Sequence, residues 1–216
     1  FKDSVDYIVS SEADVKGVGI NTALLSSKIL KSSAPLSSLD MSKHIVDSYI
    51  DSPTLTGQDM TMSVMNLAYA QSVYKAINNI ALNLLYFINQ NEASAFVSAL
   101  FQVQRYGPLN NPSYSNSYID MYGFAYLINS KLSDGTLKLL AQELLNTYSS
   151  FVPYNRSQGL KYYYSSGVSI FLTDSSSSWI NNNYNNIQYG LTDFGNLNSW
   201  KKFNDEWAKI LYFNGF

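Results

Sequence analysis

The chain contains no cysteine. Disulfides, thiolate metal sites and a cysteine nucleophile are therefore absent from it. Histidine occurs once, as His44, with no motif around it, so a packing or exposed role fits it better than catalysis. Charge is scarce too: Asp, Glu, Lys and Arg make up 14% of the residues and the net charge is −2, where about a quarter charged is usual. With no Lys/Arg-rich run, that balance argues against a nucleic-acid partner. No apolar stretch approaches the ~20 residues of a membrane span. No group of histidines or carboxylates has ligand spacing, so the sequence calls for no metal and no cofactor.

What fills the space is Ser, Asn and aromatic residues, with 18 Tyr and 11 Phe in 216 residues. A surface of uncharged polar groups suits an extracellular protein, and the sequon Asn155-Arg156-Ser157 is in keeping with that setting. The chain opens Phe1-Lys2-Asp3-Ser4-Val5 and runs at once into strand-like Tyr7-Ile8-Val9-Ser10, which reads as one piece of a processed precursor.

Thr54 to Phe87 organises the rest. Thr54-Leu55-Thr56 suits a strand, Asp59 an N-cap, and Ala70, Val73, Ile77, Ile80, Ala81, Leu84 and Ile88 the inner stripe of one long helix. Leu82 and Tyr86 on its other side call for a second covering element. A strand feeding a helix is the α/β unit, and the expected fold class is α/β with a mainly parallel sheet flanked by helices. Val5–Ser10 is a buried strand, followed by a loop from Ser11 to Gly19 at its C-terminal end, where open parallel sheets bind ligands. Helices are expected over 22–31, from Ser37 or Ser38 through Tyr49, over 92–104, over 118–128, from a Thr136 cap through Leu145, and from an Asn198 cap along Trp200, Phe203, Trp207 and Leu211. Asp120, near a helix start, reads as a capping carboxylate. Residues 105–117 and 174–186 read as surface loops, and 159–164 and 167–172 as extended segments. Residues 1–90 form the expected α/β core. Residues 91–216 form a helical region with a returning strand at 167–172 and a terminal helix at 198–212.

Four segments in order carry a resemblance to the clostripain family of cysteine peptidases, which are caspase-like in fold. They are Val5-Asp6-Tyr7-Ile8-Val9-Ser10-Ser11-Glu12 with Gly17 and Gly19; Ile45-Val46-Asp47-Ser48-Tyr49 with Thr54-Leu55-Thr56-Gly57-Gln58-Asp59-Met60; Ile119-Asp120-Met121-Tyr122-Gly123-Phe124-Ala125; and Ser166-Gly167-Val168-Ser169-Ile170-Phe171-Leu172 with Tyr189, Phe194 and Trp200. The resemblance implies the C-terminal part of a caspase-like fold, downstream of a Cys/His dyad that this chain lacks. It implies a secreted endopeptidase acting on polypeptides, with the upstream half of the same precursor, carrying the Cys and the His, as partner.

The same resemblance makes the loop from Glu12 to Thr22 one wall of a specificity pocket for basic residues. Glu12, Asp14, Gly17, Gly19 and Asn21 are its candidate substrate-binding residues. In Gly19-Ile20-Asn21-Thr22 an amide stands where a carboxylate would sit, leaving Glu12 and Asp14 as the acids of the loop. The alternative from another class is a non-catalytic extracellular module, adhesive or glycan-binding, using exposed Tyr and Trp.

Overall fold

The computed structural model describes residues 4–13, 15, 17–88, 93–100, 102–106, 118–173, 194 and 197–213. Strand β1 (Tyr7–Ser10) leads into helices α1 (Thr22–Leu30) and α2 (Ser38–Ile50), then strand β2 (Met60–Asn66) and helix α3 (Ala70–Phe87). Helix α4 (Ala93–Leu100), strands β3 (Arg105–Tyr106) and β4 (Tyr118–Asp120), and helices α5 (Met121–Lys131) and α6 (Gly135–Phe151) follow. Strands β5 (Tyr154–Gln158) and β6 (Ser169–Phe171) and helix α7 (Trp200–Phe213) complete the described elements. Expected features at residues 107–117 and 174–186, with Trp179, Tyr184 and Tyr189, lie outside the described residues.

Two three-stranded sheets form, in the orders β1-β2-β5 and β3-β4-β6. All pairings among the described residues are antiparallel, which corrects the expected mainly parallel sheet. One crossover helix would bring the chain back to the starting end of β1. Instead α1 and α2 pack as a pair, so the chain reaches the sheet at the far end and β2 must run back.

The organising stretch also differs from its reading. Residues Pro53–Leu55 form a single 3₁₀ turn, not a strand, and the helix begins only at Ala70. In between, Met60, Met62 and Val64 face α2 and pack with Val46, Tyr49, Ile50 and Leu55. Thr61 and Ser63 point to the opposite side and are buried there. This is strand alternation with methionines and short polar residues, which a helical pattern also accommodates. Asp59 caps no helix. Its Oδ1 accepts from the backbone N–H of Lys161 at 3.0 Å, fastening the turn after β5.

Smaller corrections follow the same logic. Asp134 rather than Thr136 caps α6, accepting from Leu137 N at 2.7 Å. Residues 118–120 pair as β4 before α5 begins. Residues 161–164, expected to be extended, form turns, and the strand is the preceding 154–158. Leu82 and Tyr86 stay exposed, uncovered by any described element. Asn198 does cap the last helix, accepting from Trp200 N at 2.9 Å. The sequon lies inside β5, with Asn155 Nδ2 donating to Ser165 O at 2.8 Å.

The first sheet thus sits between two layers. One is α2, and the other is a large core where α3, α5, α6 and α7 bury Ile80, Leu84, Phe124, Leu144, Trp200 and Phe203. An ion-pair group ties α1, α2 and β5 together at the rim. Arg156 Nη1 lies 2.8 Å from both Asp47 and Asp51, and Lys28 approaches the same two carboxylates. Tyr154 donates its O–H to Asp47 at 2.6 Å. Burial alone would raise the Asp47 carboxyl, but bonds from Tyr154 and Arg156 and the charge of Lys28 hold it below the ordinary value of 3.8. Burial and Asp47 push the Tyr154 phenol up to about 12.

An Arg156→Met variant is expected to lose about 1 kcal/mol, since the group is partly solvated and screened. Because the folded Asp47 is the stronger acid, its contribution is complete above the unfolded pKa and vanishes as pH falls through the folded one. Urea unfolding of both proteins at neutral pH, at pH 3 and in 1 M salt checks this, with the difference shrinking in the last two.

Candidate functional site

The site is built where the C-terminal end of β1 meets β2. Ser11 Oγ and Thr61 Oγ1 are 2.9 Å apart, and the backbone N–H of Glu12 donates to Thr61 Oγ1 at 3.0 Å. Ala13 N–H donates back to Ser11 Oγ at 3.2 Å. These bonds turn the chain at residue 12 and send the Glu12 side chain into the protein. Glu12 is only 9% exposed.

Asp120, which acts on Glu12 electrostatically, is wholly buried at the junction of β4 and α5. Its Oδ1 caps α5 by accepting from Gly123 N at 2.6 Å. Its Oδ2 accepts from Ser166 N at 2.7 Å and from the Tyr106 O–H at 3.2 Å. Tyr106 is also 2.8 Å from Ser165 Oγ, and Tyr148 on α6 donates to Ser166 O at 3.2 Å. The 165–167 turn is drawn against β2 as well. Ser63 Oγ lies 3.2 Å from Ser10 O and 2.5 Å from Gly167 O. Gly167 has φ +113°, and a Cβ there would stand 2.7 Å from Val152 Cγ1. Only glycine fits.

Both carboxyl oxygens of Glu12 are buried, and no hydrogen bond of ordinary geometry reaches them among the described residues. Burial, and then the negative charge and hydrogen-bonding of Asp120, raise its carboxyl well above 4.5, while Gly167 N–H and Tyr106 pull weakly the other way. Burial first, then Glu12 and Asp120, push the Tyr106 and Tyr148 phenols upward, Tyr148 feeling Asp120 the more. The arrangement fixes the start of the loop through its bonds to Thr61 and Ser11. It contains no nucleophile beside a base.

Past residue 13 the loop comes to the surface. Val15, Val18 and Ile20 are exposed, Gly19 turns at φ +65°, and Asn21 re-anchors the chain by capping α1, accepting from Leu24 N at 3.0 Å. Of the sequence candidates, Glu12 lies inside, Gly17 and Gly19 lie on the outer run, and Asn21 has its oxygen engaged. Asp14 is outside the described residues. His44 lies on α2, which packs on the other face of the sheet, with Nε2 3.5 Å from Ser32 Oγ. It borders an open cavity of about 390 Å³ with Asp40, Lys43 and Tyr154. Among the described residues no group of three or more His, Asp or Glu is placed to hold a metal ion, and no helix is long and apolar enough to cross a membrane. Sequence reasoning left Asp120 as a cap and gave Tyr106, Ser165 and Ser166 no part in a site. Glu12, Asp120 and Ser166 all fall in the four quoted segments, which was the one available signal.

Residues 1–207 match the family model of the clostripain family, peptidases C11. The chain belongs to the clostripain family. Two solved cysteine-protease structures share its fold. A Bacteroides fragilis cysteine protease aligns with TM-score 0.58 and 14% identity, over 92% of this chain and 81% of that one. A secreted C11 cysteine protease from Bacteroides thetaiotaomicron, in complex with an irreversible peptide inhibitor, aligns with TM-score 0.57 and 14% identity, over 96% of this chain and 54% of that one. A clostripain from the same species, bound to a peptide inhibitor, is 19% identical over 80% of this chain and 66% of its own, with TM-score 0.47. At such identities the likeness is one of fold. This chain spans 66% and 54% of the lengths of the two Bacteroides thetaiotaomicron structures. No curated protein matches it. The clostripain resemblance read from the four segments therefore holds, and nothing favours an adhesive module.

Proposed function

We propose that this chain is the C-terminal portion of a secreted clostripain-like cysteine endopeptidase, supplying the specificity loop and the scaffold but not the Cys/His dyad. One observation carries the reading: a chain matching a cysteine-peptidase family over residues 1–207 contains no cysteine at all. The thiolate that attacks the scissile carbonyl, and the imidazole that activates it, then belong to the upstream half of the same precursor. Strand β1 offers that half a place to bind, since among the described residues it pairs only with β2, and its outer backbone groups suit a neighbouring strand.

Within the cleft so formed, residues 12–21 are one wall. Gly17 and Gly19 lend it backbone surface, and Asp14 supplies a carboxylate for a basic substrate side chain. Asn21 holds the far end, and Glu12 anchors the near end from inside.

Fluorogenic peptides with Lys, Arg or an uncharged residue before the scissile bond test the assignment. This chain alone should show no hydrolysis. Combined with the upstream half of its precursor, it should cleave them, and thiol alkylation should abolish the activity. Hydrolysis by the isolated chain, or an assembled complex insensitive to alkylation, overturns the reading. In the active complex, Asp14→Asn is expected to lower kcat/KM for Lys and Arg substrates about tenfold, the worth of one charge-assisted bond, and to spare uncharged ones. Equal loss on both classes removes Asp14 from the pocket.

A further inference from the structure

We propose that Glu12 and Asp120 share a single proton, and that this acid–carboxylate pair is the positioning device holding the near end of the 12–21 loop against the core. Its positioning half rests on the reading of that loop as a cleft wall. The sharing itself rests on a count of donors. Asp120 accepts two backbone N–H groups, from Gly123 and Ser166. Tyr106 has one hydrogen to give, and its oxygen lies near Asp120 Oδ2 and Ser165 Oγ. Gly167 N–H and the Tyr106 hydroxyl face Glu12, but neither closes a hydrogen bond of ordinary geometry to its buried oxygens. Two ionised carboxylates have only acceptors to offer each other, but with one proton Glu12 becomes a donor and Asp120 its acceptor. The orphaned oxygens and the buried like charge are then explained together.

The groups facing Glu12 are Asp120 from the β4–α5 junction, Tyr106 from β3 and the Gly167 backbone. Tyr148 of α6 feels both acids. None of these is a cation, so among the described residues nothing compensates a second negative charge there.

The bridge spans the two sheets. Glu12 is tied through its backbone to Thr61 of β2 and, through the shared proton, to the cap of α5 and the 165–167 turn. A glutamate with a raised folded pKa stabilises the fold fully below its unfolded value, and the contribution fades as pH rises toward the folded value. Above that, the 12–21 loop loses its inner anchor while Asn21 keeps the outer one.

The test uses the chain assembled with its upstream half, with thermal or urea unfolding followed from pH 4 to pH 9. The wild-type folding constant should fall by about tenfold per pH unit over the window between the two pKa values, as one linked proton requires. Glu12→Gln keeps a donor to Asp120 without a titrating group and should flatten that slope. Asp120→Asn offers Glu12 an amide donor in place of a charge and should flatten it too, whatever its offset in stability. Hydrogen exchange at Gly17–Asn21 should accelerate with pH beyond the chemical rate in the wild type and not in Glu12→Gln. An unchanged slope in Glu12→Gln overturns the shared proton. A flattened slope without any change in loop exchange overturns the positioning role. Loss of peptidase function in every protein, with slope and exchange behaving as stated, would instead strike the proposed function and leave the pair intact.

Discussion

Asp120→Ala is expected to lower the unfolding free energy by about 3–5 kcal/mol, the usual cost of emptying one side of a buried charged network. Two backbone donors lose their acceptor at once, Gly123 N–H and Ser166 N–H, while the Tyr106 hydroxyl keeps Ser165 Oγ. Each left unpaired inside the protein costs about 1–3 kcal/mol, and the missing helix cap is part of that sum rather than an addition to it. A domain stable by about 5–15 kcal/mol loses a third or more of its margin. Asp120→Asn preserves the shape and one acceptor oxygen and should lose clearly less. Urea midpoints at constant m-value, measured on the assembled protein, check both. An alanine variant as stable as the wild type would mean that the polar cluster does not hold the two sheets together.

Gly167→Ala should cost about 2–4 kcal/mol for a different reason. The left-handed φ of +113° is unfavourable for any side chain, and the new methyl would press on Val152 Cγ1 at 2.7 Å and Ser63 Cβ at 3.0 Å. Strain of about 1–2 kcal/mol and overpacking of about 1–3 kcal/mol act on the same turn. Gly57 provides the comparison. It too is left-handed, at φ +78°, but nothing lies within 4 Å of its would-be Cβ, so Gly57→Ala should cost only the conformational part. If the two variants melt alike, close approach of the 165–167 turn to β2 is not what requires glycine at 167.

The elements legible in the sequence were those whose periodicity matched their burial. The α3 stripe of Val73, Ile77, Ile80 and Leu84 is buried as its spacing requires, and Trp200, Phe203, Trp207 and Leu211 fill the core from α7. What stayed hidden was decided by partners far along the chain. Met60-Thr61-Met62-Ser63 has no strong local preference, and it becomes a strand because β1 and β5 pair with it on both sides. The antiparallel direction follows from how α1 packs on α2, which no single segment encodes. The site was half visible for the same reason. Glu12 stood out as an acid in a loop after a strand, but its inward course depends on Thr61, 49 positions later. Its partner Asp120 looked like an ordinary cap, which it also is.

The outer side of β1 has a consequence for handling the protein. Tyr7-Ile8-Val9-Ser10 carries no charge and no proline, the usual guards of a free sheet edge. The opposite edge, β5, carries Arg156 with its ion pairs. No described residue pairs with the outer side of β1, so in a preparation without a neighbouring strand β1 of one molecule can hydrogen-bond to β1 of another. Light scattering of the isolated chain should rise with concentration, and a charge placed on the solvent side of that strand, or the cognate upstream strand added during refolding, should keep it clear.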